Sequence, residues 1–114
     1  MEPIPYFFDT VNRSGIGVKP KRPLLDWINA LYPDMIEDGS ESTVYLVKER
    51  CGAEEIENWL KRNFKNIFES ELNDRHTDEA NWPQKRTFKV FKAWFDTEAH
   101  PMVMDVEESP LLKT

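Results

Sequence analysis

Four residues of the 114-residue chain have side chains that could do acid–base or binding chemistry if the fold brings them together. Glu71 falls in the apolar arc of a predicted long helix, so an undistorted helix turns its carboxylate toward the core, where it needs a partner. Arg86 or a lysine can supply the opposite charge. His100 and Asp105 could line a polar pocket at the end of a sheet. The simpler alternatives are a helix that frays before Glu71 and a histidine that is hydrogen-bonded for structural reasons.

Nucleophilic and metal chemistry have weaker support. Cys51 is the only cysteine, which excludes an internal disulfide and a zinc site built from thiolates. The only bases for a cysteine–histidine pair are His76 and His100, and the sequence does not fix their distance from Cys51. His76 also lies among carboxylates that could hold a divalent cation, although such loops are mostly solvated. These carboxylates belong to Asp74, Asp78 and Glu79. We expect no metal and no cofactor.

Three cations, Lys19, Lys21 and Arg22, lie in a proline-stiffened stretch that leads into a predicted helix. Backbone N–H groups at a helix N-terminus can bind an anion, and nearby cations add to the attraction. The stretch therefore predicts a weak anion site, with an ordinary solvated turn as the alternative.

Residues 81–95, NWPQKRTFKVFKAWF, combine a basic face with an aromatic face. The basic face could contact phosphates, nucleic acid or an acidic protein, but surface helices commonly have a solvated face of this kind. A formal net charge of −6 argues against a general nucleic-acid binder. Trp82 and Arg86, at the start of this stretch, could form a protein interface. The basic residues are Lys85, Arg86, Lys89 and Lys92.

The composition predicts one globular domain, over residues 1–106, with a loosely ordered tail at residues 107–114. Four Trp, seven Phe and three Tyr supply much of the apolar area, so the core should be aromatic. The first residues lack the pattern of a signal peptide, and no segment approaches the ~20 apolar residues of a membrane span. Together with the single cysteine, these features predict a cytoplasmic protein.

The hydrophobic pattern predicts an α+β fold, a small three- to four-stranded sheet with about three helices in the order β-α-β-α-α-β. We expect strands at residues 14–19, 43–49 and 102–106, and helices at residues 23–32, 53–72 and 81–95. The polar residues 33–42 should form a loop. The unbroken apolar run from Val44 to Val47 predicts a central strand covered on both faces.

The sequence also predicts how the third helix begins and which of its residues are buried. Asn81 and Gln84 have the spacing of a capping pair for the third helix. Phe88, Phe91 and Phe95 then fall on its buried face. An aromatic cluster at residues 6–8 is expected to form an edge strand or a packed arm.

Several segments together resemble a family of short uncharacterised bacterial proteins. They are NRSGIGVKPKRPLLDWIN, TVYLV, FKNIFESEL and DEANWPQKRTFKVFKAWF, followed by a histidine and MVMD. The patterns KPK-x-P-x-x-DW and WP-x-x-R-T/S are the most specific. The resemblance covers nearly the whole chain and implies a bacterial domain, but it supplies no catalytic residue.

The sequence therefore favours a non-enzymatic protein-interaction module that binds a protein partner or a second copy of itself through Trp82 and Arg86. The alternatives are a small enzyme or ligand-binding domain with a pocket of Glu71, Arg86, His100 and Asp105, and nucleic-acid or phosphate binding through the basic helix face. A membrane partner is not expected.

Overall fold

The computed structural model describes residues 9–114. The strands in this part of the chain are β1 (Asp9–Thr10), β2 (Arg13–Pro20), β3 (Thr43–Lys48), β4 (Phe95–His100) and β5 (Met104–Asp105). The α-helices there are α1 (Arg22–Leu31), α2 (Ala53–Arg75) and α3 (Phe88–Trp94), with a short 3-10 helix (Glu79–Asn81) before α3. The predicted α+β class is confirmed, and β2 to β4 follow the predicted β-α-β-α-α-β order.

Strand β2 lies at the centre of the main sheet. It pairs antiparallel with β3 on one side and β4 on the other, so that Ile16 lies opposite Tyr45 and Ala99. The prediction that β3 is the central strand is therefore wrong. Val44 is 63% exposed and Leu46 is 47% exposed, because the helices pack on the opposite face of the sheet, which carries Tyr45.

The helices pack on this sheet around a mixed core, in which five of the thirteen buried residues that the structure describes are aromatic and the others are aliphatic, so the predicted aromatic core is found only in part. The Phe68 ring of α2 lies 5.6 Å from the Phe91 ring and 5.7 Å from the Phe95 ring. All three side chains are fully buried, whereas Phe88 is only partly buried. Interlocked rings of this kind bury a large apolar area and fix the angle at which helix and sheet meet.

Helices α1 and α2 have close to their predicted bounds. In α1, Pro23 occupies the first turn, where its missing N–H costs nothing, and the helix ends just before the Tyr32–Pro33 bond. Helix α2 continues three residues beyond the predicted end at Leu72. Its extra turn keeps Glu71 inside the helix and adds Arg75, which proves to be the partner of that carboxylate.

The third helix begins later than predicted. Asn81 ends the 3-10 helix, and α3 starts at Phe88, where the Thr87 hydroxyl accepts a hydrogen bond from the Val90 N–H at 3.2 Å. Gln84 forms no cap and instead donates to the Trp82 carbonyl. The predicted capping pair is wrong because Trp82 precedes Pro83, which favours extended backbone at Trp82, and because Thr87 is itself a good N-cap.

The end of the sheet also differs from the prediction. The third strand of the main sheet, β4, follows α3 directly, and the predicted strand at residues 102–106 is reduced to β5, which pairs with β1. Phe95 is buried as predicted, but it belongs to the strand. The aromatic cluster at residues 6–8 lies outside the described residues. Residues 106–114 are exposed and form neither helix nor strand. Among the helices of residues 9–114, none has the length and apolarity needed to cross a bilayer.

Candidate functional site

Glu71 is buried, as the helix periodicity predicts, with 1% of its surface exposed. One carboxylate oxygen accepts a hydrogen bond from the Tyr45 hydroxyl at 2.5 Å, and the other accepts one from Arg75 Nη1 at 3.3 Å. Burial, and then the hydrogen bond to Glu71, raise the pKa of Tyr45. The predicted partner, Arg86, is wrong: the charge comes from Arg75, one helical turn away.

The structure does not bring the four proposed pocket residues together. The Arg86 guanidinium donates to the Pro83 carbonyl, and His100 Nε2 lies 3.7 Å from the Glu98 carboxylate. Asp105, in β5, accepts a hydrogen bond from the backbone of Glu107. Within residues 9–114, no hydrogen bond or ion pair joins any two of the four residues. The contacts of the described residues therefore do not assemble the predicted pocket of Glu71, Arg86, His100 and Asp105.

Trp82 is not an exposed interface residue. It is 6% exposed and belongs to the core, where its indole N–H donates to the His76 carbonyl at 2.7 Å. The ring is buried because it closes the C-terminal end of α2, where that carbonyl has no helical partner. Arg86 stacks over the outer side of the ring, with Cζ 5.7 Å from its centroid.

The lysines before α1 have separate surroundings. Lys19 lies opposite Asp96 across the β2–β4 pair, and the Lys21 ammonium donates to the Lys92 carbonyl at the end of α3. The Lys21 side chain forms no cap on its own helix. The structure therefore does not direct both lysines to the α1 N-terminus as the anion-site hypothesis requires.

The histidine and cysteine hypotheses are not supported by the side-chain positions. Both ring nitrogens of His76 are engaged, Nδ1 with the Tyr32 hydroxyl at 2.7 Å and Nε2 with the Asn81 side-chain nitrogen at 3.0 Å. Among the described residues, no group of three or more His, Cys, Asp or Glu side chains is placed to hold a metal ion. Cys51 is exposed, and its backbone N–H donates to Glu55.

A groove of about 780 Å³ lies beside residues 33–42. Three segments form it: the C-terminal part of α1, this loop, and the last turn of α2. The lining residues are Ile28, Tyr32, Met35, Ile36, Glu37, Asp38, Ser40, Glu41 and Arg75. We call this surface the loop groove. The sequence predicts the loop but not the groove, because Arg75 lies 34 or more residues along the chain from the other lining residues, of which Glu41 is the nearest.

Tertiary contacts hold the loop of the groove in place. Asn29 and Glu37 form two reciprocal side chain–backbone hydrogen bonds, at 2.8 and 3.1 Å. Arg75 Nε donates to both Glu37 carboxylate oxygens, at 3.1 and 3.2 Å. Gly39 is buried and has φ +80°, a value that favours glycine. A β-carbon there would lie 3.0 Å from Leu25 Cδ1, so the loop packs closely on α1.

The loop groove combines apolar side chains with negative charge. Met35 and Ile36 are 77% and 65% exposed, an unusual degree of exposure for neighbouring apolar residues held by a fixed loop. The carboxylates of Glu37, Asp38 and Glu41 line the same surface. The hydrogen bond to Ser40 lowers the pKa of Asp38 and favours its charged form.

The positive charge in the loop groove is already neutralised. Arg75 is 13% exposed and forms ion pairs with both Glu37 and Glu71. One guanidinium thus faces two carboxylates, and the lining as a whole is acidic. The adjacent Met35 and Ile36 in an otherwise polar loop are the sequence signal that could have revealed this surface.

Comparison with family models, with curated proteins and with solved structures finds no match to this chain. The resemblance to short bacterial proteins therefore stays a prediction.

Proposed function

We propose that the protein is a non-enzymatic protein-interaction module, and that the loop groove binds a basic segment of a partner protein that carries an apolar anchor residue. The observation that supports this most is the pair Met35 and Ile36, exposed beside three carboxylates on a loop that is fixed by specific contacts. This surface differs from the one that the sequence alone suggests, at Trp82 and Arg86, because Trp82 is buried in the core and does not line the loop groove.

The fixed loop favours binding because little conformational entropy is lost when a partner docks. The Asn29–Glu37 hydrogen bonds, the Arg75–Glu37 ion pair and the close packing of Gly39 on Leu25 hold the loop without a ligand. Met35 and Ile36, held in this way, form an apolar contact surface for the anchor residue of the partner. A few apolar contacts of this kind carry most of the binding energy in protein interfaces.

The charge of the loop groove indicates the chemistry of the partner. Carboxylates along the lining, and a chain with a formal net charge of −6, attract a segment rich in lysine or arginine and repel an acidic one. We infer a partner segment with at least one large apolar side chain between basic residues. The bacterial resemblance and the single cysteine support a role in the bacterial cytoplasm as part of the same proposal.

The proposal is tested with two fluorescently labelled peptides that share their leucine residues but carry either lysine or glutamate at every charged position. Fluorescence anisotropy should show binding of the lysine peptide only. Ile36→Ser should weaken it about tenfold, because an isoleucine loses most of its burial energy. Val44→Ser is the matched control, since Val44 is 63% exposed on the open face of the sheet and should leave binding unchanged.

Equal binding of the two peptides, or equal losses in Ile36→Ser and Val44→Ser, would contradict the proposal. Circular dichroism of each variant shows whether the fold is intact. Both residues are largely exposed, so neither substitution should change the unfolding temperature by more than a small amount.

A further inference from the structure

We propose that a second site, on a surface separate from the loop groove, binds inorganic phosphate between α2 and residues 82–87. Its cations are Lys65 and Arg86, and Glu69 accepts a hydrogen bond from a phosphate hydroxyl. The cavity has a volume of about 240 Å³ and is lined by Lys65, Glu69, Gln84 and Arg86. It shares no lining residue with the loop groove, so this inference stands independently of the proposed function.

Arg86 is held in place before any ligand arrives. Its Nη1 donates to the Pro83 carbonyl at 2.8 Å, and its guanidinium lies over the Trp82 ring. Trp82 is itself fixed in the core by its hydrogen bond to His76. In the described part of the chain, Arg86 Nε and Nη2 form no hydrogen bond, so they remain available to an anion. A fixed guanidinium suits the oxygens of phosphate better than a mobile ammonium does.

The two cations of the cavity form no ion pair with any residue that the structure describes. Glu69 lines the same cavity one helical turn after Lys65 but does not pair with either cation. Three exposed lysines lie close to these cations along the chain: Lys61 is one helical turn before Lys65, and Lys85 and Lys89 lie on either side of Arg86. This local excess of cations favours an anion although the net charge of the whole chain is −6.

Glu69 makes the site selective for an anion that still carries a proton. A carboxylate repels a fully ionised anion but can accept a hydrogen bond from a hydroxyl group. Inorganic phosphate keeps at least one proton at neutral pH, whereas sulfate keeps none. Phosphate can thus donate to Glu69 while its other oxygens accept from Lys65 and Arg86, and sulfate meets an unfavourable contact at the same place.

The test is a titration of the ¹⁵N-labelled full chain with sodium phosphate and, separately, sodium sulfate, at pH 7 and with ionic strength held constant by sodium chloride. Because the lining is largely solvent-exposed, we expect a phosphate dissociation constant on the order of 1 mM. The amide shifts should concentrate around Lys65, Glu69 and Arg86. Sulfate should bind about tenfold more weakly.

Three variants define the roles of the side chains. Glu69→Gln should remove the preference for phosphate over sulfate, because an amide no longer repels sulfate. Arg86→Gln and Lys65→Gln should each weaken phosphate binding about tenfold. Lys65 is exposed and has no ion pair within residues 9–114, so Lys65→Gln keeps the test valid even if Arg86→Gln loosens the packing on Trp82. Lys48→Gln, on the exposed edge of β3, is the control and should bind phosphate as the wild type does.

Equal affinity for phosphate and sulfate in the wild type would overturn the inference. So would shifts that spread over all exposed lysines, or that persist in both Lys65→Gln and Arg86→Gln. Tighter binding of a single-stranded oligonucleotide than of phosphate, with shifts along Lys61, Lys85 and Lys89, would instead indicate nucleic-acid binding and would also contradict it.

Discussion

Replacing Arg75 by methionine removes the cation that balances the buried Glu71. Methionine keeps the length and helix propensity of the side chain but has no charge. Loss of one member of a buried ion pair typically costs about 3 to 5 kcal/mol, since the other charge stays buried and unbalanced. We expect about 3 kcal/mol, the lower end, because the Tyr45 hydroxyl still donates to Glu71 and Arg75 is partly exposed.

The contribution of the buried charge itself is measured by repeating the substitution in a Glu71→Gln background. Glutamine has the same shape as glutamate, and the neutral amide leaves no buried charge for Arg75 to balance. There Arg75→Met should cost only about 1 kcal/mol, from the partly exposed ion pair with Glu37 and the hydrogen bond to the Glu71 carbonyl. The difference, about 2 kcal/mol, is the coupling energy between the two side chains.

Urea unfolding at pH 7, followed by tryptophan fluorescence, gives the free energy of unfolding for the four proteins of the cycle. Arg62→Met is the matched control, because Arg62 is exposed on the same helix and has no ion pair among the described residues. It should change stability by less than about 0.5 kcal/mol. An equal cost of Arg75→Met in both backgrounds would refute the reasoning, since Glu71 would then not depend on Arg75 for its charge balance.

Two further predictions concern the loop and the buried network. Gly39→Ala should destabilise the fold by about 1 to 2 kcal/mol in urea unfolding, because φ +80° is strained for alanine and the new methyl group meets Leu25. Gly17→Ala is the control, since Gly17 has no positive φ and its added methyl group would meet neighbours only at 3.8 Å, and equal effects of the two substitutions would count against this explanation. The pKa of Tyr45 is raised above 10.0 in the folded state. The protonated hydroxyl therefore contributes fully to the free energy of unfolding below pH 10, and its contribution falls as the pH rises above 10. The difference in free energy of unfolding between wild type and Tyr45→Phe should therefore shrink above pH 10, by at most about 1.4 kcal/mol per pH unit. A difference that stays constant from pH 8 to 11 would contradict the proposed environment of the hydroxyl.

The elements with strong local periodicity could be predicted from the sequence. Helix α2 follows from its regularly spaced apolar residues, and the same spacing places Glu71 on the buried face. The sequence also contains the signal for its partner, because Arg75 lies four residues later on the same helix, where side chains meet. Arg75 is thus a nearer candidate along the chain than the predicted Arg86.

The boundary between α3 and β4 could not be predicted by periodicity alone. Phe88, Phe91 and Phe95 have helical spacing, yet the chain changes to a strand at Phe95 because β2 needs a partner on its second side. The inward residues of β4 after Phe95 are Thr97 and Ala99, which give only a weak alternating pattern. Here tertiary pairing overrides the local signal.

The loop groove could not be predicted because its geometry depends on contacts between distant residues. Arg75 reaches Glu37 across 38 residues. The Asp38–Gly39 pair is a recognisable turn signal, but its close packing on Leu25 of α1 does not follow from the local sequence. The position of β3 at the edge of the sheet likewise depends on contacts between residues that are distant along the chain. Its apolar run satisfies the pattern of a buried strand, and only the sheet order shows that Val44 and Leu46 face outward.

The most direct test of the proposed function is to map the peptide site on the protein. The ¹⁵N-labelled chain is titrated with the lysine peptide, and the amide signals are compared with those obtained with the glutamate peptide. Our account predicts saturable shifts concentrated in residues 28–41 and at Arg75, with none from the glutamate peptide at the same concentrations. Shifts that concentrate instead on the open sheet face around Val44 and Leu46, with residues 28–41 unchanged, would contradict it.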